Sequence, residues 1–163
     1  MQSDRARLFA RLEALGIAST TVEHAPMFTV AQSEALHVTL PGAHTKNLFL
    51  IDKSGHRVLV VAQQDTKVDL KGLAARLGHG RYSFGKPALL RAVLGIEPGS
   101  VTPFALMNDT SCSVTVVVDQ RLMDHAEVNC HPLVNAATTR IASQDLLRFI
   151  EACGHRPAVL PLA

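Results

Sequence analysis

The sequence contains no tryptophan, a single tyrosine and only three cysteines among its 163 residues. Cys112, Cys130 and Cys153 form no CxxC pair, and their odd number leaves one thiol unpaired, which favours a reducing cytoplasm over an oxidising compartment. Long apolar runs are also missing, since runs such as residues 58–62 fall far below the ~20 residues of a membrane span. The polar start at residues 1–5 lacks the apolar core of a signal peptide. The sequence therefore predicts a cytoplasmic protein with no membrane partner.

The motifs of several enzyme classes are absent as well. There is no GxSxG nucleophile elbow, no HExxH zinc motif, no paired-carboxylate motif, and no Rossmann or P-loop fingerprint. The eight histidines share no HxxxH-type spacing, and Cys130 and His131, adjacent on a strand, would point to opposite faces. We therefore predict neither a metal site nor a cofactor, and we interpret the histidines other than His131 as structural.

The composition is that of a folded domain. Hydrophobic residues make up 47% of the chain and charged residues 18%, and no repeat, low-complexity tract or long linker interrupts it. A chain of this length buries roughly 70% of the surface of its unfolded state. One domain with a core that needs no disulfide or metal is therefore predicted.

Hydrophobic periodicity and capping residues predict an α/β fold. Helices are predicted from Ser3 to Gly16, from Thr29 to His37, over 70–77 after Asp69, over 87–94 from Pro87, and from Ser143 to Cys153. Strands are predicted at 20–24, 47–52, 57–62, 104–107, 114–119, 127–129, 138–141 and 158–160. The second and third strands should form one hairpin, and the fourth and fifth another, with Asn108-Asp109 in its turn. Hairpins interleaved with helices predict a mixed, mostly antiparallel sheet with helices packed outside it.

The formal net charge is only +2, but basic residues are concentrated in one part of the chain. Residues 53–91 carry eight Lys or Arg and two Asp, a net +6, against −1, −4 and +1 in residues 1–52, 92–139 and 140–163. This stretch is a candidate phosphate-facing patch, because clustered cations attract nucleic-acid backbones independently of sequence. A solvated helix face is the alternative interpretation.

Three polar blocks begin or end predicted strands: residues 42–47, 99–103 and 129–132. Lys46 and Asn47 offer an ammonium beside an amide, suited to a phosphate, ribose or carbonyl oxygen. Gly99 allows bare backbone N–H groups to face an oxyanion, and His131 is held extended by the following proline. The alternatives are a snorkelling lysine with a turn-capping asparagine, an ordinary turn, and a core histidine.

Taken together in order, these blocks resemble the YbaK-type aminoacyl-tRNA editing domain over nearly the whole chain. The matching stretches are Pro26-Met27-Phe28-Thr29, residues 40–50, Ser83-Phe84-Gly85, residues 99–104 and residues 131–139. Within the family the sequence is most similar to free-standing prolyl-tRNA editing proteins, which remove alanine mischarged on proline tRNA. The resemblance implies a mixed, barrel-like sheet surrounded by helices, and a single editing domain over residues 1–163 with its core at about 20–152.

The resemblance also implies roles for individual residues. Lys46 would hold the terminal nucleotide, Asn47 and His131 would orient the aminoacyl group, and the Gly99 loop would bind the carbonyl oxygen or a water. The substrate pocket would include Phe28, Thr29, Val30 and Ser100, and the tRNA contacts would include Lys67, Lys71 and Arg76. Cys130 departs from the aromatic or aliphatic residue expected before the His-Pro pair.

The implied reaction is hydrolysis of the ester between an amino acid and tRNA, which is activated enough to need no covalent nucleophile. The implied partners are mischarged proline tRNA and, beyond it, prolyl-tRNA synthetase or an elongation factor, with no DNA partner. Two alternatives stay open. The acyl group could be cysteine, serine or 2-aminobutyrate, or the domain could be a non-catalytic module that binds tRNA or a synthetase.

Overall fold

Eight β-strands form the centre of the structure, a computed structural model that describes residues 4–25 and 40–163. The strands are β1 (Ser19–Glu23), β2 (Ala43–Ile51), β3 (Arg57–Gln63), β4 (Ser83–Phe84), β5 (Val114–Asp119), β6 (Glu127–Cys130), β7 (Ala137–Ala142) and β8 (Ala158–Leu160). The helices are α1 (Asp4–Ala14), α2 (Leu70–Leu77), α3 (Pro87–Leu94) and α4 (Ser143–Ala152). Two 3-10 helices, Pro103–Asn108 and Gln120–Asp124, lie before and after β5.

The strands form one sheet in the order β1-β7-β6-β2-β3-β5-β8, with β4 pairing with β2 outside that order. The pairs β1–β7, β2–β3, β2–β4 and β6–β7 are antiparallel, and β2–β6, β3–β5 and β5–β8 are parallel. The prediction of a mixed sheet is confirmed. Over the described residues the end strands β1 and β8 do not pair with each other, so the sheet is open there.

The first predicted hairpin is confirmed, and the second is wrong. β2 and β3 pair antiparallel around the turn at residues 52–56. Residues 104–107 form a 3-10 helix instead of a strand, because Pro103 opens it and the Thr102 hydroxyl accepts a hydrogen bond from the Phe104 amide. Strand β5 therefore has no hairpin partner before it and pairs in parallel with β3 and β8.

The helix boundaries follow their predicted caps closely. The Asp69 side chain accepts a hydrogen bond from the Gly72 amide at the start of α2, and Gly78 ends that helix in the left-handed conformation. Pro87 is the first residue of α3. Ser143 is the first residue of α4 and not its cap, and its hydroxyl donates to the His125 carbonyl. The predicted caps Ser3 and Thr29 lie outside the described residues.

Side chains alternate between the two sides of each strand, so the sheet has two faces, and different helices pack against each face. The major core face carries Phe49, Leu59, Val61, Val116 and Val118, and helices α1, α3 and α4 pack against it. The opposite face, here called the α2 face, carries Leu50, Val58, Val60 and Val117 beneath Leu73 of α2. Within the described ranges no helix is long and apolar enough to cross a bilayer.

Candidate functional site

Lys46 and Asn47 lie inside strand β2, not in a loop before it. The strand begins at Ala43, and Lys46 pairs with Ala62 and Asn47 with Val61 of β3. The predicted start of this strand at residue 47 is therefore wrong, because β3 supplies backbone partners as far as Thr45.

Because neighbouring strand residues point to opposite faces, Lys46 and Asn47 do not stand side by side. Lys46 shares the α2 face with Leu48 and Leu50, whereas Asn47 shares the major core face with Phe49. The Asn47 Oδ1 atom is buried and has no hydrogen-bond partner within residues 4–25 and 40–163. The Lys46 ammonium and the Asn47 amide therefore lie on opposite sides of β2.

His131 follows strand β6 and belongs to the same face as Lys46. Strands β2 and β6 run parallel with His44 beside Asn129, and the Thr45 hydroxyl donates to the Asn129 carbonyl at 2.8 Å. Cys130 is buried in the major core, so the next side chain in extended backbone, that of His131, points to the α2 face. The parallel pairing thus brings Lys46 and His131 to neighbouring positions at one end of the sheet.

The His131 imidazole is held as a neutral acceptor. Its Nδ1 lies 3.4 Å from the Ala137 carbonyl oxygen, which can only accept, so Nδ1 carries the proton and Nε2 keeps its lone pair. Burial lowers the pKa of His131 and nearby His24 lowers it further, while the bond to Ala137 opposes this. At neutral pH the ring is therefore uncharged and aims Nε2 away from the backbone.

His24 is a member of this region that sequence reasoning missed. Its backbone amide donates to the Ala136 carbonyl at 2.9 Å, and its Nε2 lies 2.8 Å from the Thr138 hydroxyl. Its Nδ1 lies 2.8 Å from the Ala25 carbonyl, which makes Nε2 the acceptor. The position of His24 just before the Pro26 block is the sequence signal that could have distinguished it from the structural histidines.

The segment after His131 is a strained turn that meets the Gly99 loop. Leu133 is buried and adopts a φ of 71°, a conformation that costs a residue other than glycine roughly 1–2 kcal/mol. At Gly99, which has a φ of 89°, an added Cβ would lie 3.9 Å from the Asn135 Nδ2 atom. The Gly99 loop and the His131 turn are therefore adjacent.

Within the Gly99 loop, one backbone amide already donates a hydrogen bond to a carbonyl of the protein. The Ser100 N–H donates to the Glu97 carbonyl at 3.0 Å, and Ser100 is buried. Ser100 therefore does not offer its amide to an oxyanion. Phe28, Thr29 and Val30, which the resemblance implies as pocket residues, lie outside the described residues.

Cys130 lies on the core side of β6, away from His131. Burial raises the pKa of its thiol to about 12, and the Thr45 hydroxyl lies 3.6 Å from its Sγ atom. The unusual residue before the His-Pro pair is therefore a packing residue and remains a protonated thiol.

Of the three basic residues expected to contact tRNA, Lys71 and Arg76 line different grooves. Lys67 lies before α2 and Lys71 lies in its first turn, and both are exposed. Lys71 lines a groove together with Arg81. Arg76 instead reaches the carbonyl of Pro161 at 3.5 Å, beside the C-terminal segment. Arg81 is a further cation that sequence reasoning did not select.

Among residues 4–25 and 40–163 no cluster of three or more His, Cys, Asp or Glu could hold a metal ion.

Comparison with known proteins identifies the family of the chain. The family model of the aminoacyl-tRNA editing domain matches residues 24–149. The prolyl-tRNA editing protein ProX of Acetoanaerobium sticklandii is 36% identical over 149 residues, which cover 91% of each chain. The prolyl-tRNA synthetase associated domain-containing protein 1 of Danio rerio is 40% identical over 151 residues, 91% of this chain and 82% of the relative.

A solved structure supports the fold independently. A proposed trans-editing enzyme for prolyl tRNA synthetase superposes with a TM-score of 0.73 and 20% sequence identity, covering 100% of this chain and 99% of the other. The chain therefore belongs to the aminoacyl-tRNA editing domain family, of the YbaK type, and is a homologue of its prolyl-tRNA editing members.

Proposed function

We propose that the protein is a trans-editing hydrolase that removes alanine from mischarged proline tRNA without a covalent intermediate. The observation that supports this proposal is the parallel pairing of β2 with β6, from which we infer that Lys46 and a neutral His131 share one face of the sheet. A cation and a fixed neutral acceptor side by side suit a substrate with a phosphate at one end and an ester at the other. The Acetoanaerobium relative is named a prolyl-tRNA editing protein, which supports editing of prolyl-tRNA as the function.

In this proposal water attacks the ester carbonyl carbon, the bond to the ribose oxygen breaks, and alanine and the free hydroxyl of the terminal adenosine are released. His131 Nε2 orients the aminoacyl group or the attacking water, and Lys46 holds polar atoms of the terminal nucleotide. Remaining amides of the Gly99 loop face the carbonyl oxygen as it gains charge. The ribose hydroxyl of the substrate helps to move the proton.

Asn47 lies on the opposite side of β2 from Lys46. Among the described residues its buried oxygen has no hydrogen-bond partner, and an unsatisfied buried polar group costs a protein about 1–3 kcal/mol. Such an acceptor is available to a water, and we propose that Asn47 orients the aminoacyl group through a bound water.

Selectivity in the proposal comes from exclusion. A pocket that fits a methyl side chain rejects the proline ring by steric clash, whereas the synthetase cannot reject alanine because a smaller group fits a larger pocket. We propose Phe28, Thr29 and Val30 as walls of that pocket, with Ser100 at its edge. The editing unit is proposed to span residues 1–163, with Lys67, Lys71 and Arg76 as contacts to tRNA.

The alternatives are separated by a panel of proline tRNAs charged with alanine, cysteine, serine or 2-aminobutyrate. Each is offered to the purified protein in single-turnover reactions, with and without a chelator. We expect alanine to be released fastest and the chelator to leave its rate unchanged, because the proposed chemistry uses no metal. Faster release of another acyl group would reassign the substrate, and binding of tRNA without release of any would indicate a tRNA-binding or synthetase-associated module.

A further inference from the structure

A groove outside the proposed hydrolytic site runs between α2 and residues 79–82. Its volume is about 640 Å³, and Leu70, Ala74 and Ala75 form an apolar floor. His79, Gly80 and Tyr82 form one wall, and Lys71 and Arg81 supply two cations. None of the proposed catalytic residues lines it. The volume lies within the range of roughly 300–1,000 Å³ that small-ligand sites occupy.

The aromatic wall of the groove is held in place by a buried carboxylate. The Asp52 side chain, fully buried, accepts hydrogen bonds from the His56 amide at 2.9 Å, the His56 Nδ1 at 2.7 Å and the Gly80 amide at 2.8 Å. The His56 ring stacks on His79 with centroids 4.1 Å apart, and His79 Nδ1 lies 2.6 Å from the Tyr82 hydroxyl. The wall is therefore ordered before any ligand arrives.

The two cations of the groove have no carboxylate partner among the described residues. The ion pairs of residues 4–25 and 40–163 involve other cations, and neither Lys71 nor Arg81 takes part in one. Two unpaired cations beside an apolar floor and an aromatic wall match a planar base joined to a phosphate. A carboxylate-bearing peptide would satisfy the cations but leave the flat apolar floor without a matching ring.

We propose that this groove binds an unpaired nucleotide of the tRNA strand, with the base on the apolar floor beside Tyr82 and its phosphate at Lys71 and Arg81. The proposal rests on the proposed function for the identity of the RNA. It specifies what Lys71, already proposed as a contact to tRNA, binds together with Arg81, separately from the terminal nucleotide at Lys46. Stacking of one base contributes about 1–3 kcal/mol in single-strand binding proteins, or roughly 5- to 150-fold in affinity.

The chain offers a reporter located in the groove itself, because Tyr82 is its only tyrosine. Full-length protein labelled with 3-fluorotyrosine gives one fluorine resonance, which is followed by NMR during titration with a single-stranded RNA hexamer of cytidine and adenosine. We expect a saturable shift. Arg81→Ala and Ala75→Phe should each weaken the affinity about tenfold, the first by removing a phosphate contact and the second by filling the groove. The matched control is Arg156→Ala, at an exposed arginine outside the groove.

Two further probes identify the ligand. An abasic hexamer should bind about tenfold more weakly than the complete one, and adenosine monophosphate should bind more weakly than the hexamer. Absence of a shift, equal binding of the abasic strand, equal affinity of Arg81→Ala and Arg156→Ala, or tighter binding of the mononucleotide would each overturn the proposal. Melting temperatures show whether the variants remain folded. The titration needs no deacylation, so it succeeds or fails independently of the proposed hydrolytic function.

Discussion

The surroundings of His131 restrict its backbone conformation, its tautomer and its protonation state. Pro132 limits its backbone to extended geometry, the Ala137 carbonyl fixes the proton on Nδ1, and burial keeps the pKa below its ordinary value. The ring is therefore a neutral, oriented acceptor at neutral pH. A group with these properties can position a water or an amino group without first losing a proton.

We predict that His131→Ala slows single-turnover deacylation on the order of 10² to 10³-fold while tRNA affinity changes little. Loss of one positioned polar group at a reacting centre has this effect on rate, because the group acts mainly in the transition state. The measurements are single-turnover rate, tRNA binding and melting temperature. A near-normal rate, or a loss explained by melting, would return His131 to a structural role.

The control for this variant has to be an exposed histidine. His125 is exposed, and its contact with Ser143 uses the backbone carbonyl, which alanine keeps. His155 is unsuitable, because it is buried with its Nε2 2.9 Å from the Asp109 carboxylate. Removing it would take one hydrogen bond from a buried carboxylate, which Ser113 and Val114 also contact, and would destabilise the fold.

At the scale of residues, sequence can indicate which side chains matter but not which way they point. Lys46 and Asn47 suggest a joint role because they are adjacent, yet adjacency within a strand separates them across the sheet. Placing Lys46 correctly requires knowing that β2 begins at Ala43. His24 is hard to identify because its partners, Ala136 and Thr138, are more than one hundred residues away along the chain.

Helix α2 shows how an element distributes its charges. Arg76 follows Lys71 by five positions, which at 3.6 residues per turn places them about 140° apart around the helix. Lys71 consequently lies at the groove with Arg81, while Arg76 binds the Pro161 carbonyl. Only one of these two helical cations is directed toward the groove.

We predict that Lys71→Ala weakens tRNA binding and makes it less dependent on salt, whereas Arg76→Ala has a smaller effect on both. Removing one cation that neutralises a phosphate should reduce the slope of log affinity against log salt by about 0.7 to 0.9. Affinity is measured by titration at several salt concentrations for the wild type and both variants. Equal slopes for all three proteins would identify α2 as a solvated surface that touches no phosphate.

Elements with explicit end signals are predictable, and those defined by packing are not. Asp69, Gly78 and Pro87 act through local hydrogen bonds or fixed dihedral angles, so α2 and α3 can be read from sequence. The stretch 104–107 is short and apolar, and such runs are compatible with a strand or a helical turn. Packing against Phe149, with the Phe104 and Phe149 ring centroids 5.3 Å apart, adds to the local signals of Thr102 and Pro103 only in the folded chain.

At the scale of the whole molecule, the sheet brings together residues from three distant parts of the chain. The pairing of β1 with β7 brings in His24, and the pairing of β6 with β2 joins His131 to Lys46. Non-local pairings of this kind leave no local signal in the sequence. For this reason the candidate site residues can be grouped from the sequence only through resemblance to a family, and not through periodicity. Composition and element order suffice only for the mixed α/β class.

The molecule should lose stability in acid partly through Asp52. Hydrogen bonds, first from His56 and also from Gly80, hold the pKa of Asp52 below its usual range, although burial opposes them. The unfolded chain, with an ordinary aspartate pKa of about 3.9, therefore binds a proton before the folded protein does. This contribution to stability is present above about pH 4 and is lost as the pH falls through the pKa of the folded state.

We predict that Asp52→Asn is destabilised at pH 7 and approaches the wild type as the pH falls below about 4, because the protonated aspartate resembles asparagine. The free energy of unfolding is measured by denaturant titration across this range. Asp124→Asn, at an exposed carboxylate, is the control. A constant difference between Asp52→Asn and the wild type at all pH values would contradict the assignment.

The most direct test of the proposed function compares two tRNAs that differ only in the attached amino acid. Wild-type protein is mixed in excess with proline tRNA carrying alanine or proline, and the release of each amino acid is timed in single-turnover reactions. We predict that alanine is released on the order of 10²-fold faster or more, since a small pocket excludes the proline ring. Equal rates for the two amino acids, or no release of alanine above the uncatalysed rate, would contradict the proposed function.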